Sequence, residues 1–297
     1  MKKINRNKYY EIKDLHMNRI NVPILPHINK THKEKYRIYR EKYNNDKKIK
    51  GGKKGKCILC QKETKLQLSH IVPKWCYKPL KEKNSKFIVG NYESLGLFVK
   101  EQDGNKHYLL CKDCEQYLGE SENYIKKLTD YYNKKEEIIN QKEGRIEEKN
   151  LNFELIQRFV FGLTIKSNYA TSIPFNYINL KSYIIHLLRK KVLSPSTDDK
   201  TFPIIAHKFF SKLEPEIRSN GMIIPEYNET EIGQPVISYL MAGWEWTIFL
   251  YPDVDPIVTD VSLKNNGSLN ILVLDITNQR FINPDICAGC DKNCTLD

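Results

Sequence analysis

Four cysteines and one histidine carry the first chemical signal in this chain. Cys57-Ile58-Leu59-Cys60 and Cys111-Lys112-Asp113-Cys114 are two Cys-x-x-Cys turns lying far apart in the sequence. A thiolate binds zinc, and a Cys-x-x-Cys turn sets two sulfurs along one edge of the metal's tetrahedron. Two such turns supply all four ligands. A closed four-sulfur site leaves no position for water, so its role is structural. The competing readings are a redox pair or two incidental pairs. Each pair abuts a run with strand character, which favours metal. A second group, Cys287, Cys290 and Cys294, closes the chain. It is either an ordinary reduced tail or a second metal site completed by Cys76 or a histidine.

Between the two turns sits His70. It ends the strand-like run Lys65-Leu66-Gln67-Leu68 and precedes Ile71-Val72-Pro73-Lys74-Trp75. A neutral imidazole fixed at a strand end can take a proton from water. A divalent ion beside it would neutralise a phosphate and stabilise a departing oxygen. The available acids are Glu115 and Glu122, which follow the second turn. With Leu118 and Ile125 they fall three, four and three residues apart, on one helical face. An acid on such a face is either a flanking salt-bridge partner or a site residue. Glu115, in a first helical turn, also suits the helix dipole.

The elements that must hold these residues are legible only in part. His107 to Leu110 reads as a strand entering the second turn, and a helix follows from Glu115. Between Trp75 and Tyr108 the glycines and Pro79 predict loop with one or two short strands. Lys126 to Lys149 is dominated by charge and predicts an exposed helix or helical hairpin broken at Gly144. Leu151 to Ile165 and Ile178 to Leu193 have helical spacing. Strands are expected at Met222–Pro225, Val236–Met241, Glu245–Tyr251, Ile257–Leu263 and Leu269–Ile276. Asn266-Gly267 would make a two-residue hairpin turn between the last two. No internal repeat is visible.

Charge is distributed unevenly. The formal net charge is +12 over 297 residues. Residues 1–56 hold 18 Lys+Arg against 5 Asp+Glu, and residues 57–297 hold 30 against 31. The basic arm suits a polyanionic partner, or is simply a solvated tail. Within it, Tyr36, Tyr39 and Tyr43 share one face of an expected short helix from His32 to Asn44, and a glycine-rich basic hinge spans Lys47 to Lys56. No apolar leader follows the basic start, and the most apolar run, Ile237 to Tyr251, is interrupted by Glu245. These features predict a cytoplasmic protein with reduced thiols and no membrane span. The expected organisation is a basic arm (1–52), a zinc-stapled module (53–130) and a helix-plus-antiparallel-sheet domain (131–297).

Taken together, Cys-x-x-Cys, a strand ending in His-Ile-x-Pro, and a returning Cys-x-x-Cys that opens a helix resemble the His-Asn-His (HNH) endonuclease superfamily in its four-cysteine zinc form. Leu68 to Trp75, Gln102-Asp103-Gly104, and Tyr108 to Gln116 with Glu122 look like a bacterial branch of it. The resemblance covers about a quarter of the chain. It implies an α+β fold with a ββα-metal, treble-clef-like module that enters the minor groove and cuts DNA, usually with Mg2+ or Mn2+. By it, His70 is the general base and Cys57, Cys60, Cys111 and Cys114 hold zinc. Ser69 stands where many relatives carry an Asp or His metal ligand, and Glu115 where a His or Asn is common. The middle Asn has two candidates, Asn91 and Asn105. The implied function is a DNA endonuclease of bacterial defence or a mobile element, with Glu122 and Glu115 helping to hold the ion. The alternative is an inactive zinc module that binds nucleic acid, RNA included, or a protein partner docked on the C-terminal domain.

Overall fold

The two turns meet at one end of a small sheet. The computed structural model describes residues 53–276, apart from 82–86, 91–97, 102, 135–143, 173, 176–177, 213–222, 230–234 and 252–253. The basic arm with its expected helix, and Cys287, Cys290 and Cys294, lie outside the described residues.

β1 (Lys53–Lys56), β2 (Glu63–His70) and β5 (Lys106–Cys111) form an antiparallel sheet in the order β1-β2-β5. Its first turn, Cys57 to Lys62, is the loop between β1 and β2. Gln61 there takes a left-handed conformation (φ 63°), and its side-chain amide donates to the carbonyls of Cys57 and Ile58 at 3.1 and 2.9 Å. The β2–β5 register slips between Gln67 and Leu68, leaving Leu109 as an extra residue in β5. Its carbonyl accepts from Ile58 N–H at 2.9 Å, so the bulge supplies the acceptor that holds the first turn. A one-turn 3-10 helix (Lys74–Tyr77) and a short hairpin, β3 (Phe87–Gly90) and β4 (Phe98–Glu101), fill the insertion between β2 and β5.

The helix after the second turn starts earlier and runs further than the sequence suggests. α1 spans Lys112–Lys134, with Asp113 and Glu115 in its positive first turn. Cys114, Leu118, Ser121, Ile125, Thr129 and Tyr132 form its buried stripe. Its N-terminal end carries the second cysteine turn. Near its C-terminal end Tyr132 packs edge-on against Trp244 at 5.1 Å between ring centroids. One helix therefore ties the small sheet to the larger sheet of the chain.

α2 (Phe153–Asn168) is capped by Asn152, whose side-chain oxygen accepts from Leu155 N–H at 2.9 Å. Every residue from Ile156 to Ser167 is buried. This central helix lies against α1 on one side, α3 (Ser182–Leu193) on another, and the large sheet through Phe159 and Trp246. The approach to α1 is close. A Cβ on Gly162 would lie 2.8 Å from a Leu118 methyl, so a larger residue there would have to push that side chain aside.

The large sheet has the order β6-β11-β7-β10-β9-β8: β6 (Gly144–Glu148), β7 (Ile204–Phe210), β8 (Ile223–Glu229), β9 (Pro235–Met241), β10 (Trp244–Phe249) and β11 (Leu269–Asp275). It is mixed, since β11 pairs parallel with β7 and the other pairs are antiparallel. An antiparallel sheet alone is thus corrected. So is the helical hairpin through Lys149: residues 144–148 are an edge strand, whose charged sequence Gly-Arg-Ile-Glu-Glu suits an edge. Ile257–Leu263 is not a strand. Pro256 opens the short helix α4 (Pro256–Val261), and the Asp255 carboxylate accepts from Ile257 N–H at 2.8 Å. Gly267 does turn the chain (φ 80°), but it links α4 to β11 and makes no hairpin. The two-residue hairpin is Ala242-Gly243, with φ of 51° and 78°, between β9 and β10. One apolar core runs from Leu59 and Leu110 through Leu118 and Phe161 to Trp246 and Ile271.

Candidate metal centre and active site

The sheet and α1 bring both turns to one place. The sulfurs of Cys57, Cys60, Cys111 and Cys114 all lie within 4.8 Å of one another. None is in a disulfide, and the Cys60 and Cys111 sulfurs are 3.8 Å apart. A tetrahedron with zinc–sulfur bonds of about 2.3 Å has edges of about 3.8 Å. Backbone N–H groups point at the sulfurs: Cys111 N–H donates to Cys57 Sγ and Cys114 N–H to Cys111 Sγ, each at 3.4 Å. Burial works upward on the Cys57 thiol, but donation from the backbone of Cys111, Cys60 and Leu59 leaves it below the ordinary range. Four buried or half-buried sulfurs with this spacing and no oxygen donor fit zinc in a closed, structural site. Among the described residues this is the only such gathering of three or more ligating side chains.

His70 stands at the far end of β2. Its Nε2 lies 2.9 Å from the Asp103 carbonyl oxygen. A carbonyl only accepts, so Nε2 carries the proton and Nδ1 keeps its lone pair. Burial, then the charge of Lys106, push the imidazole down to about 4, against the opposing pull of Asp103; Lys166 adds to the push. The ring is therefore neutral across the physiological range.

The loop that presents the Asp103 carbonyl is latched from two sides. Ile71 N–H donates to the Asn105 carbonyl at 3.0 Å, and Asn105 N–H reaches the Tyr77 hydroxyl at 3.4 Å. Gly104 between them has φ 72°, and a Cβ there would sit 2.5 Å from the Tyr77 ring. Of the two candidate middle asparagines, Asn105 acts here through its backbone, and Asn91 lies outside the described residues.

Ser69 precedes His70 and points to the opposite side of β2, where it is fully buried. Its hydroxyl donates to the Glu115 carboxylate. The positions aligned with metal ligands in the resemblance are therefore direct neighbours. Glu122 is elsewhere engaged. Its carboxylate takes a 2.8 Å ion pair from Lys166, a buried residue of α2. Lys166 lies within electrostatic reach of His70, Glu122 and the buried Cys76. Sequence reasoning missed Lys166 because it lies outside the motif, on a helix recognised only by its apolar period. It also missed the carbonyl of Asp103, although Asp103-Gly104 is a visible turn signal.

The Glu122–Lys166 pair makes a distinct prediction. Glu122→Gln leaves a buried ammonium without its counter-charge, a change that costs about 1–3 kcal/mol when the lost partner is partly solvated. The expected result is a lower denaturation midpoint with zinc content unchanged, read by chemical unfolding and metal analysis.

Comparison of the chain with family models, curated proteins and solved structures finds no match. Among the described residues, no helix is long and apolar enough to cross a membrane.

Proposed function

We propose that this chain is a metal-dependent DNA endonuclease of the HNH type, built on a structural zinc and using His70 as the general base. One observation carries the reading. The Nε2–H···O=C bond to Asp103 fixes the His70 tautomer that leaves Nδ1 basic, on a ring that burial and the Lys106 charge keep neutral, one residue from Ser69 and its bond to Glu115.

In this mechanism the zinc performs no chemistry. It would fix one end of the β1–β2–β5 sheet, opposite the end at which β2 delivers His70. Nδ1 accepts the proton of the attacking water, and the resulting imidazolium is stabilised by the Asp103 carbonyl already bonded to Nε2. A Mg2+ or Mn2+ ion would be held on the protein side by the Glu115 carboxylate, which Ser69, fully buried on the opposite side of β2 from His70, orients through its hydroxyl. Hard oxygen donors suit such ions, which take one or two carboxylates and complete their shells with water and substrate phosphate. When bound, the ion would offset charge on the phosphate and the leaving oxygen. Glu122 instead keeps Lys166 paired, with no direct part in binding the ion.

The test is incubation with supercoiled plasmid and Mg2+ or Mn2+. The parent is expected to produce nicked circles, and Glu115→Gln to do so roughly 10- to 100-fold more slowly with an unchanged melting temperature. Equal nicking by both would remove Glu115 from the site.

A second reading rests on a specific observation. Apart from the four cysteines, no group of three ligating side chains converges among the described residues, and Glu122 is bound to Lys166. That favours a zinc-stapled module for binding nucleic acid or a defence protein without catalysis. It predicts DNA binding but no nicking with either ion.

A further inference from the structure

Four of the five large apolar side chains exposed among the described residues, Tyr169, Tyr183, Leu187 and Leu193, belong to α3 or the end of α2. Along α3, Tyr183, Leu187 and Lys190 are spaced four and three apart, so they share one outward face, with His186 beside them, also exposed. Along this stretch, up to Asp198 and Asp199, the charge has one sign. From Leu180 to Thr197 there are four cationic residues, Lys181, Arg189, Lys190 and Lys191, and no acid. Residues 57–297 as a whole hold 30 basic and 31 acidic side chains, so this stretch stands out from its surroundings. Lys191 is neutralised by Asp198 at 2.7 Å. Lys181 and Lys190 are exposed.

Arg189 joins this face to the first cysteine turn. Its Nε donates to the Ile58 carbonyl at 2.5 Å, and its guanidinium reaches the Tyr169 hydroxyl. The hairpin that carries this turn is itself basic. Lys54, Lys56, Lys62 and Lys65 are exposed, and Glu63 is the one acid between Lys53 and Lys65.

We infer that the outward face of α3, with the β1–β2 hairpin, is a nucleic-acid surface that binds backbone phosphates. Lys190 on the face and Lys181 at the N-cap of α3 neutralise phosphate, with the exposed Tyr183 and Leu187 side chains on the same side as Lys190. Only the identity of the polyanion rests on the nuclease reading. The surface itself rests on exposure and charge, and α3 lies outside the segment that carries the family resemblance.

The experiment is a fluorescence-anisotropy titration of the full chain with a labelled DNA duplex of about 20 base pairs over a range of salt. Each phosphate contact on B-DNA contributes about 0.9 to the slope of log K against log salt. The K181E/K190E double variant is expected to bind at least tenfold more weakly at 0.1 M salt and to lower the slope by about 1.8. A matched charge change on α1, K127E/K134E, is expected to stay within about threefold of the parent. Equal loss in both variants, no loss in the first, or no binding by the parent overturns the inference. Nicking is read separately. A parent that binds through α3 but never cuts sinks the nuclease and keeps this surface. A K181E/K190E protein that binds and cuts like the parent does the reverse.

Discussion

A His70→Ala chain is expected to nick supercoiled DNA about 10²- to 10⁴-fold more slowly than the parent, the usual contribution of a positioned general base. The reason lies in the bonding of one ring. The Asp103 carbonyl accepts a hydrogen bond from Nε2–H and fixes the tautomer, so the lone pair on Nδ1 has one orientation. Alanine removes that lone pair and leaves the Asp103 carbonyl without its donor. The sheet does not depend on the ring: β2 and β5 remain paired, and Ile71 still bonds to Asn105. Zinc content and the circular dichroism spectrum are therefore expected to match the parent, which separates lost chemistry from lost fold. A His70→Ala protein that cuts like the parent removes His70 as the base.

The second large effect concerns the metal. Cys111→Ser, or prolonged exposure to a strong chelator, is expected to abolish the folded state of the small sheet. Structural zinc sites contribute on the order of 10 kcal/mol or more to the domains they close. The reason is local here. Cys111 ends β5 and precedes the first residue of α1, so its sulfur fixes the junction of strand and helix. The β1–β2 loop is held to β5 by Ile58 N–H on the Leu109 carbonyl and otherwise by the sulfurs. Because the same apolar core continues into the large sheet, the melting temperature of the whole chain should fall as well. Metal analysis of the parent should return one zinc for the described cluster. A Cys111→Ser protein with the parent's melting curve would show that the four sulfurs close nothing.

How much of this was legible in the sequence depends on the range of the interaction. Cysteine spacing stated which sulfurs would meet, because a Cys-x-x-Cys turn is local and the tetrahedron supplies the rest. The end of β2 at His70 was legible too, from alternation stopped by Pro73. The large sheet was less so. β7 is a continuous apolar run broken by His207 and Lys208, and both are buried in the fold, His207 against Glu245 at 2.6 Å. A buried parallel strand lacks the alternation that identifies a half-exposed one. Ile257 to Leu263 misled for the opposite reason: its β-branched residues read as strand, while the Asp255-Pro256 start signal decided for helix.

The candidate site shows the same divide. Glu115 and Glu122 have equal standing on a helical wheel, since both flank the stripe of Leu118 and Ile125. Their different fates come from neighbours remote in sequence, Ser69 for one and Lys166 for the other. No local pattern encodes which acid meets a buried lysine of another helix. The partner of Glu115 is Ser69, the residue that departs from the pattern the motif resembles.

The pH dependence of nicking by the parent tests the central claim most directly. Burial and the Lys106 charge hold His70 near 4 in the fold, against about 6.5 for a free imidazole. A base titrating near 4 is still about nine-tenths neutral at pH 5, so kcat/KM should be nearly level from pH 7.5 down to pH 5. A rate that halves near pH 6.5, or a parent that leaves plasmid intact at every pH with both Mg2+ and Mn2+, would contradict it.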